Sequence, residues 1–282
     1  SGQLNITDID SPATVAAQTN VAGSAGLGHF TISQTGAWTY VMDNAQNQLT
    51  AGQVVTDSLI VTSADNTTQV INALITGTND APVLDAAQSP ALTSVSSSAV
   101  QPVNGNTTAG DLVSTLVGGI SDADTGSIKG IAITGVHTGG TLYYTLDGGS
   151  NWLQVNGVSD TNALLLAADS NTRVFYQANG TGGTITDAIT FRAWDQTGAT
   201  LGAQGTKVDT TTNGGQTAFS TLTDTAVLDI GLQNTGPDGA RWALATRGVD
   251  VSTLSSDEVV LLWSVRGAPH LYRRADVGPY GA

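Results

Sequence analysis

Apolar and polar residues alternate with a period of two through much of the first 230 positions. His29-Phe30-Thr31-Ile32-Ser33 and Ala37-Trp38-Thr39-Tyr40-Val41-Met42 flank Gln34-Thr35-Gly36. Successive side chains of a strand point to opposite faces, so this pattern predicts a hairpin closed by a glycine turn. Residues 57–63 and 67–76 flank a second turn, Ala64-Asp65-Asn66, and residues 4–9 read as a further strand. These elements make a small antiparallel β-sandwich.

A longer series follows. Strands are expected at 128–136, 141–145, 163–166, 172–176, 188–194 and 218–229. Turns are expected at Thr138-Gly139-Gly140, Asp147-Gly148-Gly149-Ser150-Asn151 and Asn213-Gly214-Gly215. That spacing suits a larger Greek-key sandwich. The pattern breaks after Gly231. There Ser255-Ser256-Asp257-Glu258 forms a capping box before Val259-Val260-Leu261-Leu262-Trp263, which predicts a helix. The expected class is therefore all-β: two tandem antiparallel sandwiches, 1–82 and 83–230, plus a short segment, 231–282, with some helix.

Composition sharpens this picture. Apolar residues make up 40% of the 282 and charged residues 11%, with 34 glycines, enough apolar mass for packed cores joined by tight turns. No run approaches the ~20 apolar residues of a membrane helix, so membrane insertion is not expected. The opening Ser1-Gly2-Gln3-Leu4 has no signal-peptide character, so an export signal is expected to lie outside this sequence or to have been removed. The absence of cysteine excludes disulfides, thiolate metal sites and cysteine nucleophiles. The net charge of −14 rests on aspartate, Glu258 being the only glutamate, and its sign disfavours a nucleic-acid partner for 1–230. Residues 232–282 differ: they hold five of the nine basic residues and an equal number of acidic ones. The break marks a separate unit.

The aspartates suggest chemistry. Gly77-Thr78-Asn79-Asp80-Ala81-Pro82 combines a turn glycine, two short side chains with oxygen donors and a proline that blocks strand pairing. This is the composition of a stiff joint between β-domains. Asp122-x-Asp124 and Asp8-x-Asp10 place paired carboxylates near other expected domain ends. In an extended strand, residues i and i+2 face the same way, so each pair would converge on one cation. Ca²⁺ takes about 6–8 oxygen ligands, which carboxylates and loop carbonyls supply together. Asn79, Asp80, Asp122 and Asp124 form the principal candidate calcium group, and Asp8 and Asp10 a second. The bland alternative is a set of Asx turns on a soluble surface.

Two resemblances extend this reading. Leu4-x-Ile6-x-Asp8-x-Asp10, Gly36-x-Trp38-x-Tyr40-x-x-Asp43-Asn44, Leu49-x-x-Gly52, Asp57-x-Leu59-x-Val61 and Gly77-Thr78-Asn79-Asp80-Ala81-Pro82 together resemble a VCBS repeat of large bacterial RTX-type surface adhesins. One departure is Asp65-Asn66, where the family commonly has Asp-Gly. Asparagine tolerates the left-handed conformation, so the turn survives. Ser121-Asp122-Ala123-Asp124, Lys129-Gly130-Ile131-Ala132, Asp147-Gly148-Gly149-Ser150-Asn151-Trp152 and Phe191-Arg192-Ala193-Trp194-Asp195 resemble a cadherin-like module found beside such repeats. The resemblance implies a secreted or cell-surface spacer that extends a distal binding domain, with neighbouring repeats of the same chain as partners. It also makes Asn79-Asp80 with Asp122-x-Asp124 similar to a cadherin joint, where calcium stiffens the connection. Alternative readings are a module that binds surface glycan or matrix, and a fibre subunit that pairs with identical subunits through an open strand edge.

Catalysis finds no footing. His29, His137 and His270 fall in three different units, and Gly23-Ser24-Ala25-Gly26-Leu27-Gly28 lacks dinucleotide-loop spacing. No catalytic residues are expected. Trp38, Tyr40, Trp152 and Trp194 read as core, with Trp152 the best placed for a sugar platform. Gly236-Pro237-Asp238-Gly239-Ala240-Arg241-Trp242 and Trp263-Ser264-Val265-Arg266-Gly267-Ala268-Pro269-His270 resemble part of an actinobacterial winged-helix DNA-binding family. About fifty residues match, too few for a winged helix. This marks 231–282 as a graft or assembly artefact beside the adhesin modules.

Overall fold

The computed structural model describes residues 1–10, 12–197, 204–231, 263–265 and 268–270. The described residues are all-β, and one 3₁₀ turn, Val113–Thr115, is the only helical element among them. The chain divides into two compact units. The first comprises 1–82 together with 122–127 and 213–218, and the second takes the described residues between and after these.

In the first unit, β1 (Gly2–Gln3), β2 (Gln18–Ala22), β3 (Gly28–Ile32) and β4 (Ala37–Met42) form an antiparallel sheet in the order β1-β4-β3-β2. A separate hairpin pairs β5 (Val54–Thr62) with β6 (Thr68–Thr76) over nine unbroken positions, from Val54 opposite Thr76 to Thr62 opposite Thr68. Phe30, Ile32, Leu59, Val61, Ile71 and Ala73 meet in one core, with Trp38 and Tyr40 packed against it. Tyr40 lies 4.6 Å from Phe30, centroid to centroid, and Trp38 lies 6.1 Å from it. The turns behave as their residues dictate: Gly36 sits at φ 87° and Asn66 at φ 68°, both left-handed.

Two elements differ from expectation. Residues 4–9 form no strand. The Asp8 carboxylate accepts the Asp10 N–H at 3.1 Å, an Asx turn that competes with a ladder. Leu4 still donates to Gly36 O at 2.9 Å, and Leu4 and Ile6 pack on the core. Conversely, polar Gln18–Ala22 is a strand without apolar alternation. It pairs with β3 through a bulge at Asn20 (φ 51°), whose N–H reaches the Thr31 hydroxyl at 3.1 Å.

The second unit contains β7 (Val83–Leu84), β8 (Val95–Ser96), β9 (Asp111–Leu112), β10 (Ile120–Ser121), β11 (Gly130–Val136), β12 (Gly140–Thr145) and β13 (Leu153–Gln154). It continues with β14 (Ala163–Ala167), β15 (Arg173–Ala178), β16 (Gly183–Trp194), β17 (Lys207–Val208) and β18 (Phe219–Gly231). One sheet runs β17-β14-β11-β16-β18-β8 and the other β13-β12-β15-β9, while β7 and β10 pair apart. Ile131, Ile133, Leu164, Leu166, Phe191 and Leu228 from the first sheet share a core with Leu142, Tyr144, Val174 and Tyr176 from the second. All five residues of β14 are buried, so it reads as a continuous apolar run rather than an alternating one. All pairs are antiparallel except β18 with β8, which run parallel.

A last antiparallel pair joins β19 (Trp263–Val265) to β20 (Ala268–His270). The helix expected at 259–263 falls outside the described residues except for Trp263, which opens β19 instead. Arg266, Arg273 and Arg274, the cations that a nucleic-acid reading would use, also lie outside them.

Candidate functional site

The run 77–82 leaves β6 through Gly77, where a Cβ would collide with the carbonyls of Leu49 and Thr50. Gly77 donates to Gln53 O at 2.7 Å and accepts from Gly52 N at 3.0 Å, which fixes the start of the run. Asn79 is nine-tenths buried, and its Nδ2 donates to Thr217 O at 3.0 Å and to Asp80 O at 3.3 Å. The Asp80 N–H donates to Asp124 Oδ2 at 3.1 Å, and the Ala81 N–H to Gly215 O at 2.8 Å. Asp124 is 6% exposed. Its own N–H donates to Asp122 Oδ1 at 2.9 Å, and the next residue, Thr125, donates to Gln48 O at 3.1 Å. Three stretches distant in sequence are thus tied together within the first unit.

Side-chain oxygens of three of the four sequence-predicted residues, Asn79, Asp122 and Asp124, are buried here, and Asp80 joins Asp124 through its backbone N–H. Asn79 Oδ1, Asp122 Oδ2 and Asp124 Oδ1 are all buried oxygens. An all-oxygen set matches a hard cation rather than a thiophilic one. Among the described residues, no group of three or more His, Cys, Asp or Glu side chains is gathered as a metal cage. A cation at this place would therefore draw on the Asn79 amide oxygen and on carbonyls beside the carboxylates.

The geometry behind the pairing differs from that expected. Asp122-Ala123-Asp124 lies beyond the end of β10 in a bend, and Asp8-Ile9-Asp10 is not a strand either. In both, the first carboxylate is turned back on the N–H two residues on. An Asx turn, not a pleat, sets their direction. Asp10 is exposed, while Asp8 borders an open groove of about 290 Å³ with Leu4, Ile6, Val15, Val61 and Asp65.

Other candidates resolve into structure. The Asp147 carboxylate accepts Asn151 Nδ2 at 2.6 Å, the Asn151 N–H at 2.9 Å and the Thr145 hydroxyl at 2.7 Å. The Asn151 side chain first, then the Asn151 N–H and Thr145, pull its pKa down to about 2. Because the folded value lies below the unfolded 3.8, the turn's contribution is present above pH 3.8 and is lost as pH falls through about 2. Carboxyl NMR should therefore show Asp147 titrating near pH 2, and Asn151→Ala should move it toward 3.8. Trp152 is only 8% exposed and stacks edge-on against Phe175 at 6.4 Å, so it offers no sugar platform. His29 Nδ1 meets Asp43 Oδ1 at 2.7 Å, while His137 Nδ1 accepts the Gly139 N–H at 2.9 Å in the other unit.

Sequence reasoning named Asp57 only within a motif frame and gave it no role. It is fully buried, and its carboxylate accepts the N–H groups of Ala25 (2.8 Å), Leu27 (3.1 Å) and Ser58 (2.9 Å) and the Tyr40 hydroxyl (3.0 Å). Burial pushes its pKa up, but these hydrogen bonds outweigh that and hold it below the usual 3.8. Burial first, and then the bond to Asp57, push Tyr40 up to about 12. A Cβ at Gly23 would overlap the carboxylate. The signal was available in the strand parity, which puts Asp57 on the same inward face as Leu59 and Val61.

No protein-family model matches this chain, and no curated protein sequence matches it. Among the described residues no helix is long and apolar enough to cross a membrane. Fold and geometry together define an all-β protein of several sheets with an oxygen-rich loop cluster in its first unit.

Proposed function

We propose that this chain is a structural segment of a secreted or surface-attached bacterial adhesin. Two β-sandwich modules, the first VCBS-like and the second cadherin-like, act as a spacer for a distal binding domain. Ca²⁺ held by Asn79, Asp80, Asp122 and Asp124 stiffens the connection. The observation that carries this reading is the buried oxygen cluster that follows β6. The cluster joins the run 77–82 to 122–125, so a bound cation would hold these two chain segments, beside the bonds that tie the run to Gly215 and Thr217. The motif frame from Leu4 to Pro82 supports the module type, and the spacer role is mechanical rather than catalytic.

A ligand that binds only the folded state stabilises it by about 2.7 kcal/mol at a hundred times its Kd. Calcium titrated into the EDTA-treated protein should therefore raise the melting temperature by roughly 10 °C. Asp124→Asn should abolish most of that rise. Identical melting in calcium and in EDTA would remove the cation from this proposal.

A further inference from the structure

The sheets end very unequally. The six-stranded sheet is bounded by β17 and β8 and the four-stranded sheet of the second unit by β13 and β9, all of two residues. In the first unit, β1 has two residues and β2 has five with a bulge. Short or bulged edges are how β-proteins prevent unwanted pairing. The nine-residue strands of the hairpin are the exception, and β5 accepts further bonds from Ala16 and Ser24 on its outer side, which leaves β6. It is nine residues long and unbroken, with no proline and no charged residue in Thr68-Gln69-Val70-Ile71-Asn72-Ala73-Leu74-Ile75-Thr76. Its only ladder is to β5, and its backbone bonds to no other backbone group of the described residues. The Gln69 amide donates to Val70 O at 3.3 Å. Its outward face alternates polar Thr68, Asn72 and Thr76 with exposed apolar side chains: Leu74 is 72% exposed and Val70 47%, and Ile60, opposite Val70 on β5, is 63% exposed.

We infer that the β6 edge pairs with the β6 edge of a second copy of this chain, antiparallel about a two-fold axis through Asn72. The strand's own sequence selects this partner. In that register Thr68 faces Thr76, Val70 faces Leu74 and Asn72 faces Asn72 on the outer face. Ile71 faces Ala73 within, and only Gln69 opposite Ile75 is mismatched. Apolar side chains meet apolar ones and amide meets amide across the join, each such pair adding to sheet stability. The segment is also uncharged in a chain of net charge −14, so two copies meet here without placing carboxylates on opposing strands. The product is a continuous β5-β6-β6-β5 sheet with an isologous contact. This inference is independent of the spacer reading and of calcium.

Asn72 is its own partner in this arrangement, which supplies the test. Sedimentation of the full chain should show a reversible dimer between ~1 µM and ~1 mM, the range of transient association. Asn72→Lys places two ammonium groups opposite each other and Asn72→Asp two carboxylates. Each variant alone should dimerise at least tenfold more weakly, while their equimolar mixture should regain pairing as a heterodimer. Asn72 is exposed, so circular dichroism should show both variants folded. A wild-type chain monomeric throughout overturns the proposal. So do variants that dimerise like the wild type, or a mixture that fails to pair.

Discussion

Replacing Asp57 with alanine should cost about 3 kcal/mol or more, because several donors lose one acceptor in a fully buried site. For a unit of this size that is a fall in melting temperature of roughly 10–20 °C, to be read by circular dichroism. Asp57→Asn retains one oxygen but turns an NH₂ toward N–H donors, so it should recover only part of the loss. A change below about 1 kcal/mol in the alanine variant would show that water or rearrangement satisfies Ala25, Leu27, Ser58 and Tyr40. The network also sets a pH window. The folded pKa of Asp57 lies below 3.8, so its contribution is full above pH 3.8 and is lost as pH falls through the lower folded value. Tyr40 is raised from 10.0 to about 12, so its contribution is full below pH 10 and fades as pH rises through 12. Tyr40→Phe should remove the alkaline limb while leaving most of the acidic one.

Trp194→Ala in the second unit should cost about 3–5 kcal/mol, the range for deleting a fully buried large aromatic. Trp194 has no exposure, and it packs so closely on Gly130 that a Cβ there would lie 2.7 Å from its ring. The backbone on that side therefore closes poorly over the cavity. Trp194→Phe should cost less than half as much. The indole Nε1 is buried and makes no hydrogen bond among the described residues, so its removal forfeits none. Denaturant titration of both variants distinguishes lost packing from a lost polar contact. Equal costs would point to an indole N–H bond that matters.

Local pattern carried the reading where strands alternate and turns need glycine or asparagine. β3, β4, β6 and β11 lie where period two places them, and Asn66 and Gly36 adopt the left-handed conformations their turns require. It failed where a side chain outcompeted the ladder, as Asp8 does at 4–9. It failed again where pairing alone makes the strand, as at Gln18–Ala22. At the candidate site, the sequence proposed Asn79, Asp80, Asp122 and Asp124 and expected the Asp122-x-Asp124 pair to converge by pleating. The structure uses Asx turns, backbone bonds to Gly215 and Gln48, and the Asn79 side-chain bond to Thr217 O. Those partners lie up to 138 positions away, and no local periodicity encodes them.

The membership of 122–127 and 213–218 in the first unit bears on where such a chain can be cut. A fragment that stops at Pro82 would carry an unfinished unit. It would lack the carbonyls of Gly215 and Thr217 and the carboxylate of Asp124 that close the run after β6. A cut that keeps this closure intact therefore has to retain 213–218 and 122–127 along with 1–82.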